Sequence, residues 1–161
     1  LAGKRAAVLG AGGAARGVAW GLAKQGAAVR VCARRMDQAR SVSLAVGAEA
    51  GEMPPAAESW DLLVNTTPVG TYPNGEESPV PDGALNNGLV YDLVYNPEIT
   101  RLLAQASDAG CDTIGGLEML VAQAREQFAW WTGVEVPEGV FNEAAKLELL
   151  RQDKTGEGQR D

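Results

Sequence analysis

The chain contains no histidine. Imidazole is therefore excluded as a general base, a proton shuttle or a metal ligand. Cysteine is almost as scarce. Cys32 and Cys111 stand far apart, each in an apolar stretch. That pattern suits two buried free thiols in a reducing cytoplasm better than a disulfide, and it leaves too few ligands for a structural zinc site. No metal site is expected. No run of about 18 apolar residues occurs, so no transmembrane helix is expected. The short apolar stretch in "LAGKRAAVLGAGG" runs straight into glycines and does not read as a signal peptide. Basic residues are outnumbered: 14 Lys and Arg stand against 21 Asp and Glu, a net charge of -7, with a pI near 4.7. Such a field disfavours nucleic acid and acidic membranes as partners. Any bound phosphate must be held by local groups.

What is present is a chain of 161 residues, 45% hydrophobic, which suits one domain with a real core. Residues 5–10, "RAAVLG", read as a short buried strand, and 13–25 as a helix with Ala14, Ala15, Val18, Ala19 and Leu22 at helical spacing. A second strand is expected over 28–33 and a weaker helix over 36–47. There is room for a short strand near 48–50. "DLLVNTTP" reads as a strand ended by Pro68, and 70–88 as a long loop rich in Gly, Pro and Asn. "GLVYDLVY" is a further strand. A helix over 97–109 is expected to open at Pro97 and close at Gly110. "CDTIGG" gives a last short strand, and helices follow at about 116–132 and 138–151. The last helix carries an apolar stripe of Val140, Ala144, Leu147 and Leu150 that needs a partner. Residues 152–161 read as a polar, disordered tail. Strands alternate with helices and are apolar on both faces. The predicted fold is therefore α/β: a Rossmann-like, doubly wound, mainly parallel sheet with helices on both faces, over 1–151.

The most informative stretch is "VLGAGGAARG", residues 8–17. Gly10, Gly12 and Ala15 fit G-x-G-x-x-G/A, with a strand before and a helix after. The first glycine permits the tight turn, the second lets a pyrophosphate approach the backbone, and the small third residue lets helix and strand pack closely. The helix N-terminus then offers free N–H groups to the phosphates. The competing reading is a glycine-rich turn with no ligand. The end of the second strand decides which dinucleotide. An NAD site usually carries Asp or Glu there for the ribose 2′-OH. Here the residues are Ala33, Arg34 and Arg35. Guanidinium forks suit the 2′-phosphate of NADP, so the residues favour NADP over NAD.

"GAGGAARG", "NTTPVG", "YDLVYNPEITRLL" and "GGLEMLVAQAREQFAWWTG" follow one another at the spacings of shikimate dehydrogenases. Over about residues 3–150 the chain resembles their C-terminal, NADP-binding half. The resemblance implies that Gly10, Ala11, Gly12, Gly13 and Ala14 form the diphosphate loop, and that Arg34 clamps the 2′-phosphate with Arg35 beside it. It implies that Thr66, Thr67 and Pro68 face the middle of the cofactor. Leu93 and Gly116 would touch the nicotinamide half, where Met119 could pack on the ring. Tyr95 and Gln123 match residues that contact shikimate. Gly116, Met119 and Gln123 share one helix face; Leu117, Leu120, Val121, Ala124 and Phe128 form an apolar one. Trp130 and Trp131 read as packing residues.

The resemblance places the family's catalytic Lys–Asp pair in an N-terminal domain, which is expected to be absent from this chain. Lys4, Lys24, Lys146 and Lys154 do not match the catalytic lysine, so no catalytic residue is assigned. The implied reaction is the reversible, NADPH-dependent reduction of 3-dehydroshikimate to shikimate in the cytoplasm, within aromatic amino acid biosynthesis. The chain alone is expected to bind cofactor without turning over, and a homodimer is compatible. Two other readings stay open. One is the matching half of a quinate/shikimate dehydrogenase using NAD or NADP. The other is a non-catalytic nucleotide-binding module.

Overall fold

The protein is described by a computed structural model that covers the backbone of residues 1–157. Its elements are β1 (Arg5–Leu9), α1 (Gly13–Lys24), β2 (Ala28–Cys32), α2 (Met36–Val46), β3 (Glu49–Gly51), β4 (Leu62–Asn65), β5 (Leu89–Asp92), α3 (Arg101–Asp108), β6 (Asp112–Ile114), α4 (Gly116–Thr132) and α5 (Glu138–Glu157). Two compact units result, Leu1–Gly116 and the chain from Leu117 onward.

The first unit is built on a six-stranded sheet in the order β3-β2-β1-β4-β5-β6, with every pairing parallel. The expected Rossmann-like, doubly wound fold is therefore present. Side-chain alternation explains the layering. Ala6 and Val8 of β1 pack with Ala15 and Ala19 of α1 and with Ala39 and Val42 of α2. Ala7 and Leu9 point the other way and pack with Trp60, Leu63, Val90 and, from α3, Leu102 and Ala106. Strands buried on both faces need apolar residues at nearly every position, which "AAVL" and "LLV" supply. Both faces are covered, so the functional surface is left to the strand ends.

The register sets those ends level. Leu9 pairs with Cys32 and with Asn65, Cys32 with Gly51 and Asn65 with Asp92. One row thus closes the carboxyl edge of five strands. The chain leaves β1 for β2 on one side and returns to β4 on the other, so the topological switch point lies between β1 and β4. Open α/β sheets bind ligands outside the carboxyl ends at such a point.

Several boundaries differ from the sequence reading. The third helix opens at Arg101, not Pro97. Thr100 is its N-cap, and its hydroxyl oxygen accepts from the Leu103 amide at 3.2 Å. A capping hydroxyl outweighs proline as a start signal here. The helix does close as expected, with Gly110 at φ +79. β4 and β5 are shorter than "DLLVNTTP" and "GLVYDLVY" suggest, because a polar side chain ends each one, as described below. The final helix runs to Glu157, beyond the expected end at 151. Residues 158–161 of the tail, and the side chains of Leu150 and Lys154, lie outside the described residues.

In the second unit, Phe128 of α4 meets Phe141 of α5 edge-on, with ring centroids 5.8 Å apart. Phe128 is 37% exposed, so it belongs to the α4–α5 contact instead of a sealed core. Trp130 and Trp131 are 83% and 72% exposed, against the expectation that they pack. They are adjacent on α4 and reach solvent from both positions. Val140 and Leu147 of α5 are exposed as well. No helix among the described residues is long and apolar enough to cross a membrane.

Candidate functional site

The site begins where β1 ends. Gly10 turns the chain at φ +111, a conformation L side chains rarely adopt. A Cβ there would lie 2.8 Å from Thr66 Oγ1 and 3.2 Å from Thr67 Cγ2. Thr66 cannot simply move aside, because its hydroxyl donates to the Leu9 carbonyl at 2.6 Å. Gly10 is therefore fixed twice, by its backbone angle and by the β4 end lying against it.

Gly12 and Gly13 are a different case. Gly12 is the N-cap of α1 with φ -89, and no side chain caps the helix. A Cβ at either residue would have nothing within 4 Å. Nothing in the chain's own packing requires these two glycines. Their effect is to leave the backbone bare at the amino end of α1, in a first turn without an acidic residue. Such an end carries unsatisfied N–H groups and a positive partial charge. Ala15, the small third residue of the pattern, is fully buried between helix and sheet.

Just past the end of β2, Ala33 is buried while Arg34 and Arg35 are exposed. Arg35 is the N-cap of α2. Among the described residues, neither arginine takes part in a salt bridge, whereas Arg5 pairs with Asp61 at 2.7 Å and Arg30 with Glu49 at 2.9 Å. The acid typical of an NAD site is missing from this strand end, and two uncommitted guanidinium groups stand in its place.

The ends of β4 and β5 are locked together by side chains. Asn65 Oδ1 accepts from the Thr67 amide at 3.0 Å and from the Thr67 hydroxyl at 2.7 Å. This local turn takes the backbone out of the ladder and ends β4. Asp92 does the same for β5: its Oδ1 accepts from the Val94 amide at 3.0 Å. The two side chains meet, with Asn65 Nδ2 donating to Asp92 Oδ1 at 2.9 Å. Thr100 Oγ1 donates to Asp92 Oδ2 at 2.7 Å. Asn65, Asp92 and Thr100 are all buried. Burial pushes the Asp92 carboxyl above the usual carboxylate range, and the bonds from Thr100, Val94 and Asn65 oppose that rise.

These bonds define what the threonines can offer a ligand. The Thr66 proton is committed to Leu9 and the Thr67 proton to Asn65. Neither hydroxyl is left to donate outward, while Pro68 is exposed beside them. Leu93 is half-buried, and Tyr95 is 42% exposed. Gly116 has a packing reason of its own: a Cβ there would lie 2.5 Å from the Leu93 and Val94 carbonyl oxygens. The backbone after β5 therefore presses against Gly116.

Gly10, Thr66 and Thr67 thus meet at the switch point, with Leu93 and Gly116 together at the β5 end. Met119 and Gln123 lie on α4, in the second unit. Sequence reasoning missed Asn65, Asp92 and Thr100. The signal was present: Asn and Asp each interrupt an otherwise apolar strand, in "LLVN" and "LVYD".

Residues 116–146 match the family model described as the shikimate 5′-dehydrogenase C-terminal domain. Over most of its length the chain is similar to shikimate dehydrogenases. A shikimate dehydrogenase (NADP(+)) of Moorella thermoacetica is 45% identical over 156 residues, covering 88% of this chain and 52% of that protein. A crystal structure of a shikimate dehydrogenase in complex with NADP+ superposes with a TM-score of 0.85 at 32% identity, covering 92% of this chain and 56% of the other. The Thermus thermophilus enzyme, in complex with NADP(H) and shikimate, gives a TM-score of 0.82 at 38% identity, over 88% and 54%. The chain spans about half the length of these shikimate dehydrogenases.

Proposed function

We propose that this chain is the NADP(H)-binding half of an enzyme that reversibly reduces 3-dehydroshikimate to shikimate. The observation that carries the reading is the bare backbone at Gly12 and Gly13, which no neighbour in the chain requires. It lies on the first βα turn, with Arg34 and Arg35 uncommitted at the adjacent strand end. Residues 1–151 are assigned to this cofactor-binding role.

The residues present fit the group. Gly10 to Ala14 receive the diphosphate on backbone N–H groups, where no side chain or acid stands in the way. Arg34 holds the 2′-phosphate through a charge-assisted fork, and Arg35 adds a second positive charge. Thr66, Thr67 and Pro68 would face the middle of the dinucleotide. Their hydroxyl protons are already committed, so they contribute shape and backbone. Leu93 and Gly116 border the nicotinamide half, and Tyr95 contacts substrate. The cofactor, when bound, supplies the hydride; this chain orients it. Proton transfer to the substrate oxygen is assigned to groups other than these residues. The reaction takes place in the cytoplasm, consistent with two cysteines that are both free thiols.

The test is spectroscopic. Adding shikimate and NADP+ to the pure chain should bind cofactor without raising NADPH absorbance. Rapid NADPH formation by this chain alone would refute the assignment of proton transfer elsewhere.

A further inference from the structure

We propose that Asp92 is a positioning residue for the nicotinamide half of the cofactor. It holds the segments that leave β4 and β5 in one fixed arrangement. The inference rests on the reading above that the nicotinamide lies over the β5 end.

One carboxylate joins three pieces of chain. Its Oδ1 receives Asn65 Nδ2 from the β4 end and the Val94 amide from the β5 end. Its Oδ2 receives the Thr100 hydroxyl, whose oxygen in turn accepts the Leu103 amide at the start of α3. All three partners of the carboxylate are donors, so Asp92 serves purely as an acceptor. This requirement reaches further than its own contacts. Asn65 must turn its NH2 toward Asp92, and that turns its carbonyl oxygen toward Thr67. The Thr67 amide and hydroxyl then both bond to that oxygen, and the Thr67 oxygen accepts from Val69 at 3.3 Å. The amide orientation that shapes "NTTPVG" is thus imposed from the neighbouring strand.

A fully buried carboxylate is costly unless its position does something an apolar pair could not. Here it sits in the terminal row of the sheet, one residue before Leu93. From that same row Thr66 and Thr67 pass under Gly10, and the Leu93 and Val94 carbonyls meet Gly116. Asp92 is isosteric with asparagine, yet an asparagine keeps its oxygen on Asn65 and Val94 only by donating its NH2 to Thr100 Oγ1, which reverses that hydrogen bond and costs the Thr100 proton its Asp92 acceptor. Asp92→Asn therefore disturbs the arrangement without changing its volume.

The adenosine half offers an internal control, because Arg34 shares no hydrogen bond with this network, which meets the glycine turn at Gly10 alone, against Thr66 and Thr67. The experiment compares NADP+ with adenosine 2′,5′-bisphosphate, which carries the 2′-phosphate and no nicotinamide, by calorimetry on the full chain. Asp92→Asn should weaken NADP+ by about tenfold or more while changing the bisphosphate less than about twofold. Thr100→Val should act in the same direction, and Thr100→Ser, which keeps the hydroxyl, should restore wild-type binding. Should Asp92→Asn fail to fold, the two Thr100 variants decide by the same criterion. Equal weakening of both ligands would mean a merely structural role and would overturn the proposal, as would unchanged NADP+ affinity. If the wild-type chain binds neither ligand, the cofactor reading itself fails, which is a separate outcome.

Discussion

Gly10 and Gly12 belong to one motif but should fail in opposite ways when given a methyl group. At Gly10, alanine must adopt φ +111, outside the regions L-residues favour, at about 1–3 kcal/mol. Its Cβ also meets Thr66 Oγ1 at 2.8 Å. Relieving that contact breaks the Thr66–Leu9 hydrogen bond, at about 1 kcal/mol. Gly10→Ala should therefore lose roughly 2–4 kcal/mol of stability, a fall in Tm of about 4–16 °C for a chain of this size. At Gly12, φ is -89 and nothing lies within 4 Å of a built Cβ. Alanine is a poorer N-cap than glycine, so the cost stays at about 1 kcal/mol or below. The methyl does, however, occupy the space through which a pyrophosphate must approach. Gly12→Ala should unfold within a few degrees of wild type and bind NADP+ at least about tenfold more weakly. Thermal unfolding read by tryptophan fluorescence, together with calorimetric titration of the folded variants, separates the two effects. A Gly10→Ala variant as stable as wild type would refute the packing argument. A Gly12→Ala variant that binds NADP+ normally would show that the bare backbone serves no phosphate.

Other outcomes follow from the same geometry. Thr100→Ala removes a helix cap and one donor to a buried carboxylate, and should destabilise by about 2–4 kcal/mol in urea unfolding; a loss below about 0.5 kcal/mol would contradict the network. Asp61 is held at a pKa of about 2 by the Arg5 side chain and backbone amide. Because this folded value is depressed, its stabilising effect is present above about pH 4 and disappears as pH falls toward 2. Unfolding curves of wild type and Asp61→Asn should accordingly converge over that window and separate above it. Cys32 is buried, and burial pushes its thiol up to about 11. A thiol-specific reagent at pH 8 should leave it untouched in the native chain and label it on unfolding; fast native labelling would place it at the surface.

Much of the fold was legible because its signals are local. Apolar runs bounded by turn residues located five strands and left room for the sixth near 48–50, helical spacing located five helices, and "VLGAGG" located the turn between β1 and α1. The strand ends were less legible. "NTTP" and "YDLVY" continue as extended, apolar sequence, and what stops β4 and β5 is a pair of side chains that also bond to each other across the sheet. That contact joins residues far apart in sequence and depends on the strand order, which no local window contains. The same reason hid Asp92 and Thr100. Alone, an aspartate in a strand and a threonine before a helix say little; their juxtaposition over α3 gives them meaning. Gly116 is a related case. The sequence suggested room for a ring, and the structure supplies two backbone carbonyls that require the glycine on their own account. The position of Arg34 was readable because it depends only on being next to the end of β2.

The most direct measurement is a calorimetric titration of the purified chain with NADP+ and with NAD+, repeated on Arg34→Ala. A charge-assisted bond from Arg34 to the 2′-phosphate, worth about 1.5–3 kcal/mol, predicts that NADP+ binds on the order of tenfold to a hundredfold more tightly. The substitution should remove most of that difference while leaving NAD+ unchanged. Equal binding of the two dinucleotides by the wild-type chain would contradict the assignment of NADP(H) to this fold.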